Sequence, residues 1–162
     1  MNNVRQFFDK KEIGKLINGT LSIVILKPNS PGVIEINLLD FCKENNLRII
    51  FCKKTVLQKH EIIALYPDIF NFMPTDTVFG VEWKYTLIEY MSESYSKIFF
   101  IEGNDSQILM EKFKITIRDR YGKITHPKTE LSKEEFNEKV LRNLIHVVNQ
   151  DHLGASVWSV LI

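Results

Sequence analysis

Two short segments hold the side chains best suited to chemistry: Arg142-Asn143-Leu144-Ile145-His146 near the end of the sequence and Ile25-Leu26-Lys27-Pro28-Asn29 near its start. His146 closes an apolar stretch, and an imidazole with an ordinary pKa of about 6.5 is largely neutral and nucleophilic at physiological pH. Such a group can accept a phosphoryl and pass it on, letting one pocket serve donor and acceptor in turn. Taken singly, these residues have plainer roles. A His ending a strand is more often structural, and Lys27 alone is a solvated strand end. Tyr66 and Phe72 alone are core aromatics. Arg118 and Arg120 alone are exposed cations at a helix terminus, where the dipole favours them. Thr125-His126-Pro127 alone is a turn. The sequence has no Gly-x-x-x-x-Gly-Lys-Ser/Thr loop, no dinucleotide-type glycine cluster and no protein-kinase catalytic loop, so those mechanisms have no support. His60, His126 and His152 show no ligand spacing with each other or with a cysteine, and a structural metal is set aside.

The elements that must position these groups belong to a chain of 162 residues, long enough for one domain with one substantial core. With 44% hydrophobic and 25% charged residues it is expected to fold, and a net charge of +1 offers no broad field to nucleic acid. Small anions remain possible ligands, because a few converging cations suffice. Cys42 and Cys52 lie in apolar stretches and read as reduced thiols, which favours a cytoplasmic setting. The first twenty residues lack the apolar run of a signal peptide, and no stretch is long and apolar enough to cross a bilayer.

Phe8, Ile13, Leu16 and Ile17 fit a short amphipathic helix ending at Asn18-Gly19, taken as an N-terminal extension over 1–20, with a single domain over 21–162. Leu21 to Leu26 reads as a buried strand. Ser30 can cap a following helix with Pro31 in its first turn, and Ile34, Leu38, Phe41 and Cys42 share one face of it. Arg48 to Leu57 is a second strand, Lys59 to Tyr66 a short helix stopped by Pro67, and Phe70 to Gly80 a loop. A helix over Glu82 to Met91, a strand over Lys97 to Ile101 and a helix that Asp105 can cap come next. Ser132 and Glu135 have the form of a capping box, and Asn143 to Val148 is a fourth strand. This order suits a ferredoxin-like α+β sandwich, a four-stranded antiparallel sheet covered on one face by helices.

The paired segments resemble the nucleoside diphosphate kinases, over roughly Leu21 to Asp151. The resemblance implies the same ferredoxin-like fold and a phosphotransferase that moves the terminal phosphoryl of a nucleoside triphosphate to a nucleoside diphosphate through phospho-His146. It makes Lys27 a contact to the nucleotide's sugar and terminal phosphate, Tyr66 a neighbour of the imidazole, and Phe72 the ring on which the base stacks. Arg118 or Arg120 becomes the first phosphate-binding arginine, Thr125 a phosphate contact, and Lys133 the counterpart of a second arginine. Asn143 is matched to the asparagine that bonds the ribose 3′-hydroxyl. Mg²⁺ is implied, arriving with the nucleotide, and so is a closed homo-oligomer, for which the apolar end from Ala155 to Ile162 is suited.

Some positions depart from the family pattern. Val147 and Val148 stand where Gly and Ser follow the histidine, Asn29 replaces an Asp, and no acid follows Asp151 to orient the imidazole. A catalytically weak or inactive nucleotide-binding or scaffold module of the same fold is the alternative reading. A third is an unrelated ferredoxin-like regulatory domain.

Overall fold

A computed structural model describes residues 10–66, 69–70, 77–78, 81–122, 132–136 and 141–148. Helix α1 (Lys10–Ile17) ends at Gly19, whose φ of +78° is the left-handed turn that a glycine makes without a Cβ penalty. Strand β1 (Leu21–Leu26) follows, buried along its whole length. Its hydroxyl, Ser22, lies 2.7 Å from the hydroxyl of Ser106, so it is not left unpaired inside.

Asn29, also left-handed at φ +62°, turns the chain from β1 towards helix α2 (Gly32–Glu44). The expected Ser30 cap does not form. The helix begins after Pro31 with no side-chain cap, and the Ser30 hydroxyl instead donates to the Leu144 carbonyl at 2.6 Å. Helix α2 buries Ile34, Leu38 and Cys42. Strand β2 (Arg48–Thr55) and helix α3 (Lys59–Leu65) come next, the helix opened by a capping box between Gln58 and Glu61 that the sequence reading missed. The end of the segment expected as a loop, Phe70 to Gly80, holds β3 (Thr77–Val78), which forms a short hairpin with β4 (Val81–Glu82) just beyond it. Helix α4 (Trp83–Glu93) and strand β5 (Ser96–Glu102) match expectation.

Helix α5 (Ser106–Tyr121) starts after Asp105, which occupies the cap position but makes no side-chain cap bond. The Ser132–Glu135 capping box does form, with the Ser132 amide donating to Glu135 Oε2 at 2.9 Å and the Glu135 amide to Ser132 Oγ at 3.2 Å. It opens α6 (Lys133–Phe136), and β6 (Ile145–Val147) is the last described strand.

The four long-range strands form one antiparallel sheet in the order β2-β5-β1-β6, the ferredoxin-like α+β arrangement. Helices cover both faces, where the sequence reading placed them on one. Val24, Leu26, Phe99 and Ile101 pack against Ile34, Leu38, Met110 and Phe113 of α2 and α5. Ile23, Ile25, Ile98 and Phe100 pack on the other side against Leu16, Ile62, Leu65, Leu87, Tyr90 and Met91 of α1, α3 and α4. The cause lies in β1 and β5, which are apolar at successive positions. Strands whose alternate side chains are all greasy need a layer on each face.

Helix α1 thus contributes to the core through Leu16, 1% exposed. Leu16→Ala should lower the unfolding free energy by about 3 kcal/mol, read as a lower urea midpoint at unchanged slope.

Candidate active site

The second half of β1 and the approach to β6 are held together by the backbone. Ile25 pairs with His146 and Leu26 with Ile145, and the ladder continues as the Lys27 amide donates to the Leu144 carbonyl at 2.9 Å. Leu144 has φ +71°, and the Ile145 amide closes a tight turn onto the Asn143 carbonyl at 2.8 Å. A leucine in this region carries strain of about 1 kcal/mol or more. The two bonds from Lys27 and Ser30 to the Leu144 carbonyl hold the turn in place.

Strand alternation then puts His146 on the face of the sheet that carries α3 and α4, with Ile145 and Val147 on the opposite face. The partly exposed imidazole stacks on the Tyr66 ring, centroids 3.9 Å apart and planes 15° from parallel. Its Nε2 lies 2.8 Å from the Leu65 carbonyl. A carbonyl only accepts, so Nε2 carries the hydrogen and Nδ1 keeps the lone pair. The sequence reading found no partner to orient this ring; the last turn of α3 supplies one. Helix ends leave carbonyls without intrahelical partners, and Leu65 is in such a position.

Lys27 extends on the same face and is 4% exposed. Its Nζ donates to the Leu141 carbonyl at 3.0 Å and sits 5.8 Å and 6.0 Å from the ring centroids of Tyr66 and Tyr90. The Tyr90 hydroxyl donates to the Pro28 carbonyl at 2.9 Å, and the Arg142 guanidinium lies over the Tyr90 ring at 5.9 Å. From the far side of the sheet Arg118 reaches round the β6 edge and donates from Nη2 to the Ile145 carbonyl at 2.7 Å.

The electrostatics follow from burial among cations. His146 is held well below the usual histidine range, first by desolvation and then by Lys27, with Arg118 and Lys114 adding to it against the Leu65 hydrogen bond. Lys27 is held well below the usual lysine range by burial and by Arg118. Burial pushes the Tyr66 hydroxyl upward, and that of Tyr90 to about 12.

Lys27, Tyr66, Arg118 and His146 are therefore brought together. Arg120 is not: it is exposed and lines a groove with Asn37, Asp40, Phe41 and Phe113 between α2 and α5. Asn143 lies in the tight turn, its Oδ1 buried and without a hydrogen-bond partner among the described residues; Arg118 Nε is in the same condition. Phe72, Thr125, the Lys133 side chain and the 149–162 tail lie outside the described residues. The bulk of Val147 and Val148 is taken up by the two cores. Tyr90 and the Leu65 carbonyl escaped the sequence reading. Tyr90 shares a helical face with Trp83, Leu87 and Met91, which marks it as inward-facing but not as a seat for Lys27. Among the described residues no group of three or more His, Cys, Asp or Glu side chains could hold a metal, and no helix is long and apolar enough to cross a membrane.

The histidine shift has a stability consequence. Below about pH 6.5 the unfolded chain binds a proton at this position that the folded chain refuses, so stability falls as pH falls. The unfolding free energy of the wild type should drop between neutral and mildly acidic pH, by up to about 1.4 kcal/mol per pH unit, and drop less in His146→Gln.

No family model matches the sequence, and neither does any curated protein. Solved structures do. A halophilic nucleoside diphosphate kinase from Halobacterium salinarum in complex with CDP is 15% identical, with a TM-score of 0.56 over 88% of this chain and 86% of that one. The enzyme from Aquifex aeolicus is 18% identical, with a TM-score of 0.52 over 85% and 92%. That of Pyrobaculum aerophilum is 17% identical, with a TM-score of 0.51 over 86% and 93%. At these identities the likeness is one of architecture, and the chain has the fold of the nucleoside diphosphate kinases.

Proposed function

We propose that this protein is a phosphotransferase that carries the terminal phosphoryl of a nucleoside triphosphate to a nucleoside diphosphate on His146. The observation that carries the reading is the state of the imidazole: neutral, fixed with its hydrogen on Nε2 by the Leu65 carbonyl, and set among Lys27 and Arg118. Nδ1 has no hydrogen-bond partner among the described residues, and its lone pair is the one available for attack.

The chemistry balances without a proton transfer at the ring. The Nδ1 lone pair forms a bond to the γ-phosphorus as the bond from that phosphorus to the β,γ-bridging oxygen breaks, and the nucleoside diphosphate leaves with the electron pair. In the second half a β-phosphate oxygen of the acceptor forms a bond to the phosphorus, the N–P bond breaks, and the imidazole is restored. Loose phosphoryl transfer asks for placement and charge neutralisation, which Lys27, Arg118 and the Mg²⁺ entering as part of the nucleotide substrate would provide. The unpaired Asn143 Oδ1 is an acceptor, suited to a sugar hydroxyl. Phe72, Thr125 and Lys133 are proposed to complete the nucleotide contacts, and Arg120 is not, because it opens on a different groove.

A second reading has its own observation. Lys27 is turned inward to the Leu141 carbonyl, which suits a module that binds a nucleotide without turning it over. Incubation with γ-labelled ATP and Mg²⁺ separates the two. The relay requires an acid-labile, alkali-stable label that is lost in His146→Ala and chased by added GDP. Saturable nucleotide binding with no label would leave the binding module; a label that His146→Ala retains would remove His146 from the reaction.

A further inference from the structure

We propose that a polyphosphate binding at this site raises the proton affinity of Lys27, so that the lysine draws a proton from solution as the anion binds. This rests on the reading above as to which anion binds, though not on whether the phosphoryl is transferred. The geometry is that of an ammonium group with nothing negative paired to it among the described residues. Lys27 is 4% exposed, and among the described residues its Nζ makes one hydrogen bond, to a neutral carbonyl. The charged and titratable groups around it come from every packed element, and Glu35, Lys54, Tyr95 and Lys97 line a cleft together with Lys27. Tyr66 closes α3, Tyr90 lies on α4 with Glu93 acting on it, and Arg142 lies over Tyr90. Arg118 comes from α5, with Glu111 acting on it, and His146 comes from β6, with Lys114 of α5 acting on it. Glu35, the carboxylate in that cleft, is paired with Lys97, and the charge that shifts Lys27 is another cation, Arg118.

A desolvated amine beside a guanidinium favours its neutral form, and that form still donates to the Leu141 carbonyl. A phosphate within hydrogen-bond reach reverses the balance, because an opposite charge at about 4 Å favours the ammonium. The amine nitrogen then forms one new N–H bond with a buffer proton, and no other bond changes. Arg118 cannot act this way, since a guanidinium stays protonated throughout. By linkage, binding takes up protons at pH values above the free Lys27 pKa and below the bound one, and affinity weakens as pH rises across that window.

Calorimetric titration of the wild type with ADP, and separately with inorganic tripolyphosphate, at a series of pH values from neutral to mildly alkaline and in two buffers of different ionisation enthalpy at each, measures this uptake as the buffer dependence of the binding enthalpy. The expected result is uptake of up to about one proton per ligand. It should vanish in Lys27→Arg, where the cation is permanent, and in Lys27→Met, where affinity should also fall about tenfold or more. Uptake that persists unchanged in Lys27→Arg would assign the proton to His146 and overturn the proposal, as would an enthalpy independent of buffer in the wild type. Tripolyphosphate binding with proton uptake but no ADP binding would sink the nucleotide reading and leave this one standing; binding of neither ligand would sink both. The Lys27 Cε signal of ¹³C-lysine-labelled wild type reads the same switch without a variant: its titration midpoint should rise on addition of ligand, and an unmoved midpoint would overturn the proposal.

Discussion

The antiparallel seam between β1 and β6 is the constraint on which the rest of the site depends. It aligns Ile25 with His146 and Leu26 with Ile145, and the Lys27 amide then extends it to the Leu144 carbonyl. Two segments from opposite ends of the sequence thereby become neighbours in register. A shift of one residue would turn His146 to the α2 and α5 face, among Ile34, Met110 and Phe113, and bring Ile145 or Val147 beside Tyr66. The left-handed Leu144 and the Ser30 hydroxyl bond are local devices that hold the seam at its end.

Around that seam the polar groups are arranged in an unusual balance. Lys27, Arg118 and His146 each bond to a backbone carbonyl, of Leu141, Ile145 and Leu65 in turn. Carbonyls orient such groups at modest cost but bring no compensating charge. Positive charge gathered this way is disfavoured in a poorly solvated place, which depresses the basicity of His146 and Lys27 together. The same imbalance would favour an entering polyanion, whose charge would relieve it.

Two cores support this arrangement. The α2 and α5 layer receives Ile145 and Val147, and the α1, α3 and α4 layer receives Val148 and carries Tyr66 and Tyr90. Because β6 is anchored on both faces, the β-branched residues after His146 act as packing, not as obstacles in front of the imidazole. Tyr90 links core and site in one side chain, its ring beneath two cations and its hydroxyl on the Pro28 carbonyl.

The order of strands and helices could be read directly from residue types. Apolar β-branched runs such as Leu21 to Leu26 and the Ser132–Glu135 box act over a few neighbouring residues, and local rules suffice for them. The pairing of the Lys27 and His146 segments was legible as well, though only through a resemblance to a known family. Other features depended on how distant backbones meet. Ser30 has the chemistry of a helix cap, but the Leu144 carbonyl, remote in sequence, claimed its hydroxyl. Arg118 and Arg120 are equivalent as letters, and the helical rotation of about 200° between positions two apart sends one to the β6 edge and the other to the opposite groove. The partner of the imidazole is a main-chain carbonyl, a group that every residue carries and no sequence pattern marks, so tertiary packing alone could select Leu65 for it.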